Sequence, residues 1–407
     1  MREDVLKKYA ELVVCAGVNV QKGQEVVISA DIQSADFVRL VVEKAYDVGA
    51  ASVFVEWADE AITRATYLKA SPEHFKSVKP WRVQFYKDFD DINACYIRVI
   101  SPDPDLLAGV EPERIRDAMQ AAGNALSEHR KMTMGNHVRW SIAAVPSIAW
   151  ARKLFPQMPD DEAVEALWDK IIEASRVGTA PLAAWQEHDE NFKKRVEFLN
   201  NSNFKALHFT NSLGTDLRME LPRGHYWKGG SAPAKDGVSF FPNIPTEEVF
   251  SLPNCHTVSG RVVASMPLTY QGVTIEGFEL EFEGGVVVRH KAQKNEDTLT
   301  NILSLDEGAR RVGEIALVPH ASPISEMGML FYNTLIDENA SCHLALGKAY
   351  PMVHGYENMS EQEVQEVGVN DSITHVDFMF GTSDMTIMGT TQDGRQVHVF
   401  TNGNWHE

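Results

Sequence analysis

The stretch "EVVISADIQSADFVRLVVEKAYDVGAASVFVEW" (25–57) limits the fold more than any other part of the chain. Residues 25–30 form a short apolar run with strand-forming residues. Residues 34–49 carry a helical apolar period, with Ser34 as an N-cap and Gly49 as a stop signal. Residues 51–57 are a second strand. A strand, a helix and a strand in this order make a βαβ unit, which requires a parallel sheet and a right-handed crossover. "ACYIRVI" (94–100) and "RWSIAAV" (139–145) read as further strands, with a helix from Pro112 to about Lys131 between them. The first part of the chain is therefore expected to be an α/β domain with a mostly parallel sheet. Its first turn, "SADIQSADF", has no glycine. Neither GxGxxG nor GxxxxGK[ST] occurs anywhere, which argues against a nucleotide site of either kind.

The opening "MREDVLKKYAELVVCAGV" mixes charges into an apolar stripe of Val5, Tyr9, Leu12, Val13 and Ala16. It reads as an amphipathic helix and not as a secretory signal, and the chain has no apolar run long enough to cross a bilayer. "DDEAVEALWDKIIEASRVG" (160–178) reads as a helix with Val164, Leu167, Trp168, Ile171 and Ile172 on one face, ended by Arg176 and capped by Gly178. "EHDEN" (187–191) reads as a solvated helix start or linker. Around residue 200 the pattern changes to strand–turn–strand: 205–221 across a glycine turn, 276–292 across Gly284-Gly285, and 385–400 across Asp393-Gly394. Two domains are expected: an α/β domain over 1–190 and a β-rich α+β domain over 191–407.

The formal net charge of −19 argues against a nucleic-acid surface, which needs clustered Lys and Arg. Cys15, Cys95, Cys255 and Cys342 are scattered without a CxxC or a paired framework, a pattern of the reducing cytoplasm.

The chemistry concentrates in the second half. In "HVDFMF" (375–380) the period of two puts His375 and Asp377 on one face and Val376, Phe378 and Phe380 on the other. Alone, such a pair could simply be hydrogen-bonded. It has company, however. Glu314 interrupts the apolar strand "GEIALVP", and a buried glutamate needs an arginine, such as Arg310 or Arg311, or a metal. "NIPTEEVFSLPN" (243–254) holds Glu247 and Glu248, of which alternation lets only one face a shared site. "DENASCHLALGKAYP" (337–351) offers Glu338, His343 and Tyr350. Several apolar strands, each interrupted by a ligand-type side chain, are explained together by a dinuclear metal site. There, Glu248, Glu314, Glu338 and Asp377 would balance two dications about 3.5–4 Å apart. Mixed oxygen and nitrogen ligands suit zinc, cobalt or manganese. No GxSxG elbow and no HExxH helix is present. The role of the loop "PRGHYWKGGSAPAKDG" (222–237), with its exposed-looking aromatics, stays open between cavity wall, dimer contact and plain surface loop.

Taken in order, "NIPTEEVFSLPN", "GEIALVP", "DENASCHLALGKAYP" and "HVDFMFG" resemble the aminopeptidase T / aminopeptidase S family of bacterial metallo-aminopeptidases, and the resemblance runs the length of the chain. It implies a two-domain cytoplasmic homodimer that uses two divalent metal ions per chain to release N-terminal residues from peptides with a free amine. By motif, the metal ligands would be Glu248, Glu314, Glu338, His343, His375 and Asp377, and Tyr350 the catalytic tyrosine. Glu314 would bridge the metals, Glu248 or Glu338 would shuttle a proton, and Tyr350 would stabilise the oxyanion. Two other readings use the same scaffold: a dinuclear hydrolase of another amide, and a non-catalytic metal- or peptide-binding protein.

Overall fold

In the computed structural model, which describes residues 2–270 and 272–406, the βαβ opening forms as expected. Strands Glu25–Asp31 and Ser52–Ala58 lie parallel, connected by the helix Ala35–Asp47. The sheet extends through Cys95–Ile100, Trp140–Ala144 and Asn243–Ile244, all parallel, with Glu25–Asp31 between Ser52–Ala58 and Cys95–Ile100. Val26, Ile28, Ile97 and Val99 are buried in it. The N-terminal helix Arg2–Leu12 buries Tyr9 and Leu12, then loosens into a π-type turn over Val13–Gly17.

Four local expectations change. Ser34 stands before the helix without capping it. The cap lies one turn earlier, where the Asp31 carboxylate accepts the Gln33 backbone N–H and starts the short turn Ile32–Ser34 that leads into the helix. The helix expected over 112–131 is two, Pro112–Ala125 and Ser127–Met134, broken at Leu126. The helix at 160 ends at Ala174, and Arg176 takes the left-handed turn (φ 52°) assigned to Gly178. "EHDEN" is neither a helix start nor a linker. It lies inside the helix Pro181–Ser202, where His188 and Asp189 are buried.

The chain divides into two compact units, Met1–His188 with Ser231–Pro245, and Asp189–Gly230 with Thr246–Glu407. The second unit is antiparallel and β-rich. Eight of its strands form one sheet, which includes the hairpins Phe204–Thr210/Asp216–Glu220, Glu279–Glu283/Val286–Lys291 and Thr386–Thr391/Gln396–Thr401. Gly284 and Gly285 both have positive φ (56° and 80°), which a two-residue hairpin of this kind requires. A second sheet has the order His375–Met379, His343–Gly347, Val312–Leu317, Val249–Ser251, Lys228–Gly229. One face of this sheet joins the hydrophobic core. Phe378 meets Phe278 and Phe380 meets Phe209, with centroids 5.4 and 5.5 Å apart. Lys228–Gly229, the edge strand, comes from the loop 222–237, whose Trp227 is buried and not exposed. Among the described residues no helix is long and apolar enough to cross a membrane.

Candidate metal centre

The other face of the second sheet carries the polar side chains. Register pairs Glu314 with Ala345 and Ala345 with Asp377, so these three form one row across three strands. The next row is Phe250, Ala316, His343 and Met379. Residues directly opposite one another share a face, as do residues two apart. Glu248, Glu314, His343, His375 and Asp377 therefore project from one surface, over a floor of Ala316, Ala345 and Gly347. That floor was not identified from the sequence. The alternation of "HLALG", with a small residue at every second place after His343, is the signal that marks it.

Two triads result. Glu248, Glu314 and His343 bring one ligand atom each within 4.8 Å of one another, and so do Glu314, His375 and Asp377. Glu314 belongs to both. Its Oε1 lies 3.9 Å from His343 Nε2 and its Oε2 3.8 Å from His375 Nε2. His343 Nε2 is 3.1 Å from Glu248, and His375 Nε2 is 3.4 Å from Asp377. Each imidazole donates from Nδ1 to a backbone carbonyl, His343 to Ser341 (3.2 Å) and His375 to Lys348 (2.7 Å). These bonds set the tautomer and leave Nε2 aimed at the carboxylates. Glu338 belongs to neither triad. It borders a cavity beside Asp377 and acts on the cluster through its charge. Tyr350 stands over His375, centroids 5.5 Å apart, and near Phe250. Glu247, on the opposite alternation, is buried outside both triads.

The electrostatics call for positive charge. Burial, then the fields of Asp377 and Glu248, push the Glu314 carboxyl up to about 8. Burial and the same acidic neighbours raise Glu338 well above the carboxylate range. Burial opposes the cations of His343 and His375. The hydrogen bond and charge of Glu248 nevertheless raise His343 to about 10, and those of Asp377 raise His375 to about 9. Burial of the phenol, then the carboxylates, keeps Tyr350 protonated far above neutral pH. Arg310 and Arg311 do not compensate: Arg310 bonds the carbonyl of Val287 and Arg311 that of Cys255. Glu314 Oε2 and Asp377 Oδ1 are buried, and each has only the long approach of His375 Nε2, 3.8 and 3.4 Å away, in place of a close hydrogen bond. Orphaned carboxylate oxygens are costly unless a cation meets them. Four acids, two oriented imidazoles and two orphaned oxygens fit divalent metal.

Residues 2–405 match the model of the family described as Thermophilic metalloprotease (M29). It is 43% identical to "Aminopeptidase 2" of Geobacillus stearothermophilus, covering 99% of this chain and 98% of that protein. It is 44% identical to "Aminopeptidase AmpS" of Bacillus subtilis (strain 168), covering 98% of each. The solved structure titled "Wild-type AmpT from Thermus thermophilus" superposes with a TM-score of 0.94 over the full length of both chains, at 38% identity.

Proposed function

This chain belongs to the thermophilic metalloprotease (M29) family, and from that premise we propose that it is a metal-dependent aminopeptidase acting on peptides with a free N-terminus. The observation that carries this reading is Glu314, one buried carboxylate shared by two triads, with an oxygen facing each. We assign two divalent ions per chain, zinc, cobalt or manganese. One would be held by Glu248, Glu314 and His343, the other by Glu314, His375 and Asp377. Glu338 completes the set from the cavity side.

Bound there, divalent metal supplies Lewis acidity that polarises a carbonyl and acidifies water. The chain's own groups do the rest. Glu314 ties the two triads together and, with Ala345 beneath, keeps the floor open. The Ser341 and Lys348 carbonyls hold the imidazoles in their working tautomers. Tyr350 keeps its proton at neutral pH and so donates a hydrogen bond to a carbonyl oxygen as it gains charge. Glu338, outside the triads, would take the α-ammonium or pass a proton to the leaving amine.

We also propose a cytoplasmic homodimer. The four unpaired cysteines suit a reducing compartment. The first unit's edge strand exposes Phe54 and Trp57, and nearby helices expose Ile62, Leu68 and Trp81, an apolar set that a second copy would cover.

The test counts metal per chain. It then compares release of the first residue from free and N-acetylated peptides, with and without added cobalt, manganese or zinc. Near two ions per chain and cleavage confined to the free amine are expected. Equal cleavage of acetylated peptides would instead favour a dinuclear hydrolase of another amide. Absence of metal and of metal-dependent cleavage would leave a binding protein.

A further inference from the structure

Glu314, His343, His375 and Asp377 sit inside paired strands, so the sheet ladder sets their places. Glu248 and Glu338 do not. Glu248 precedes the strand Val249–Ser251, whose pairing begins one residue later, and Glu338 lies on the short turn Glu338–Ala340. We propose that Asn339 is a positioning residue that fixes these two carboxylates against each other and so prepares the triad of Glu248, Glu314 and His343 for its ion. This inference rests on the two-ion reading above.

Asn339 is fully buried and uses both ends of its amide. Its Oδ1 accepts the backbone N–H of Glu247 at 2.7 Å, from a segment 92 residues away in the chain. Its Nδ2 donates to the carbonyl of Leu335 at 2.9 Å, in the helix Thr334–Asp337 that leads into the turn. An N–H on one side and a carbonyl on the other leave the amide a single orientation. Glu248 is thereby bracketed. Asn339 holds the residue before it, and the residue after it, Val249, pairs with Leu317 and Gly229. Glu338 is bracketed as well. Asn339 follows it, and Asp337 before it accepts the N–H groups of Phe331 (2.6 Å) and Asn333 (2.8 Å).

The two carboxylates need such a brace. After burial, the charge of Glu248 is the largest influence that raises the Glu338 carboxyl. Like charges at one site oppose each other, so the backbone that carries them must be held by something else. An amide does this without adding charge. An aspartate at this position would put a fifth acid beside Glu248, Glu314, Glu338 and Asp377. An apolar side chain would take from the Glu247 N–H and the Leu335 carbonyl the partner each has in the interior. The brace acts on one triad. His375 and Asp377 take their places from the pairing of His375–Met379 with His343–Gly347, in which Asn339 has no part.

The experiment titrates the metal-free full chain with cobalt against a competing chelator and reads the visible spectrum of bound cobalt. The parent should take two ions. In Asn339→Leu, one ion should bind about 10- to 100-fold more weakly and the other within about threefold of the parent. Two backgrounds identify which ion is affected. In Asp377→Asn, whose remaining intact triad contains Glu248, Asn339→Leu should show the full loss. In Glu248→Gln, whose remaining intact triad contains Asp377, it should cost less than about threefold. No loss in either background, or an equal loss in both, would overturn the proposal, since a general effect on stability does not choose between triads. If Asn339→Leu does not fold, Asn339→Ala, which brings no bulk, faces the same criteria. If the parent binds no metal, the two-ion reading fails. Crystal structures of the metal-free proteins then decide the brace separately. Glu248 displaced from His343 Nε2 in the variant supports it, and retention of the parent's 3.1 Å contact overturns it.

Discussion

The two five-stranded sheets of this protein handle acidic side chains in opposite ways. In the parallel sheet, Asp31 ends its strand and is fully used by the backbone, accepting N–H groups from Gln33 (2.9 Å) and Glu60 (3.0 Å). Glu60 in turn accepts the N–H of Asp103. These acids hold turns together. In the antiparallel sheet, Glu314 and Asp377 sit in mid-strand with buried oxygens that face His375 Nε2 at 3.8 and 3.4 Å and make no close hydrogen bond. A buried acid with backbone donors belongs to the architecture. A buried acid without them points to a ligand.

The comparison breaks most sharply at Glu314. Glu314→Gln should lower kcat/KM more than about 100-fold, beyond what loss of an outer partner costs, and metal analysis should show fewer ions per chain. Asp31→Asn should leave turnover intact and lower stability by about 1 kcal/mol, read by denaturant titration. Equal effects on activity would erase the distinction between the two sheets.

Metal removal tests the same contrast through stability. With metal present at about a thousand times its Kd, binding adds about 4 kcal/mol to the folded state. Chelation, with loss confirmed by elemental analysis, should then lower Tm by roughly 10 °C. An unchanged Tm would mean that the acids are not gathered around a cation. Tyr350→Phe is the next smaller effect. It should lower kcat about 100-fold with little change in KM, because the phenol's hydrogen bond matters as charge develops. A rise in KM alone would make Tyr350 a binding residue.

The smallest effect concerns Asp306, which ties the turn leading into the strand Val312–Leu317 to the segment before the strand His375–Met379. It accepts from Ala309 N–H, Ser372 Oγ and Ile373 N–H. Burial pushes its carboxyl up, but these hydrogen bonds outweigh it and hold the folded-state value below the usual one. The stabilisation is therefore complete above the unfolded value, near 3.9. It is lost as pH falls through the lower folded value. Asp306→Asn should flatten the fall in stability below about pH 4, measured by urea unfolding across pH. A slope identical to the parent's would show that other acids govern that limb.

Much of this was readable along the chain. Gly284-Gly285 mark their hairpin, and Gly394 (φ 84°) the four-residue turn after Thr391, because few residue types accept those backbone angles. His375 and Asp377 share a face, with Val376, Phe378 and Phe380 opposite, because strand alternation is local geometry. "EHDEN" misled because its charges suggest solvent, while the packing around the helix Pro181–Ser202 buries two of its residues. The loop 222–237 concealed an edge strand of two residues, too short to show any period.

The sequence by itself determined the βαβ opening, the change to hairpins and the ligand-type residues of each strand, since all of these rest on contacts within a few residues. Only the tertiary structure decided that Glu314 lies between two triads, that Ala345 leaves room beneath it, and that Glu338 belongs to the cavity side. Those facts depend on strand order and register. Register is set by pairing between segments far apart in the chain, as Val249 is from its partner Leu317, and no local pattern encodes which strand becomes whose neighbour.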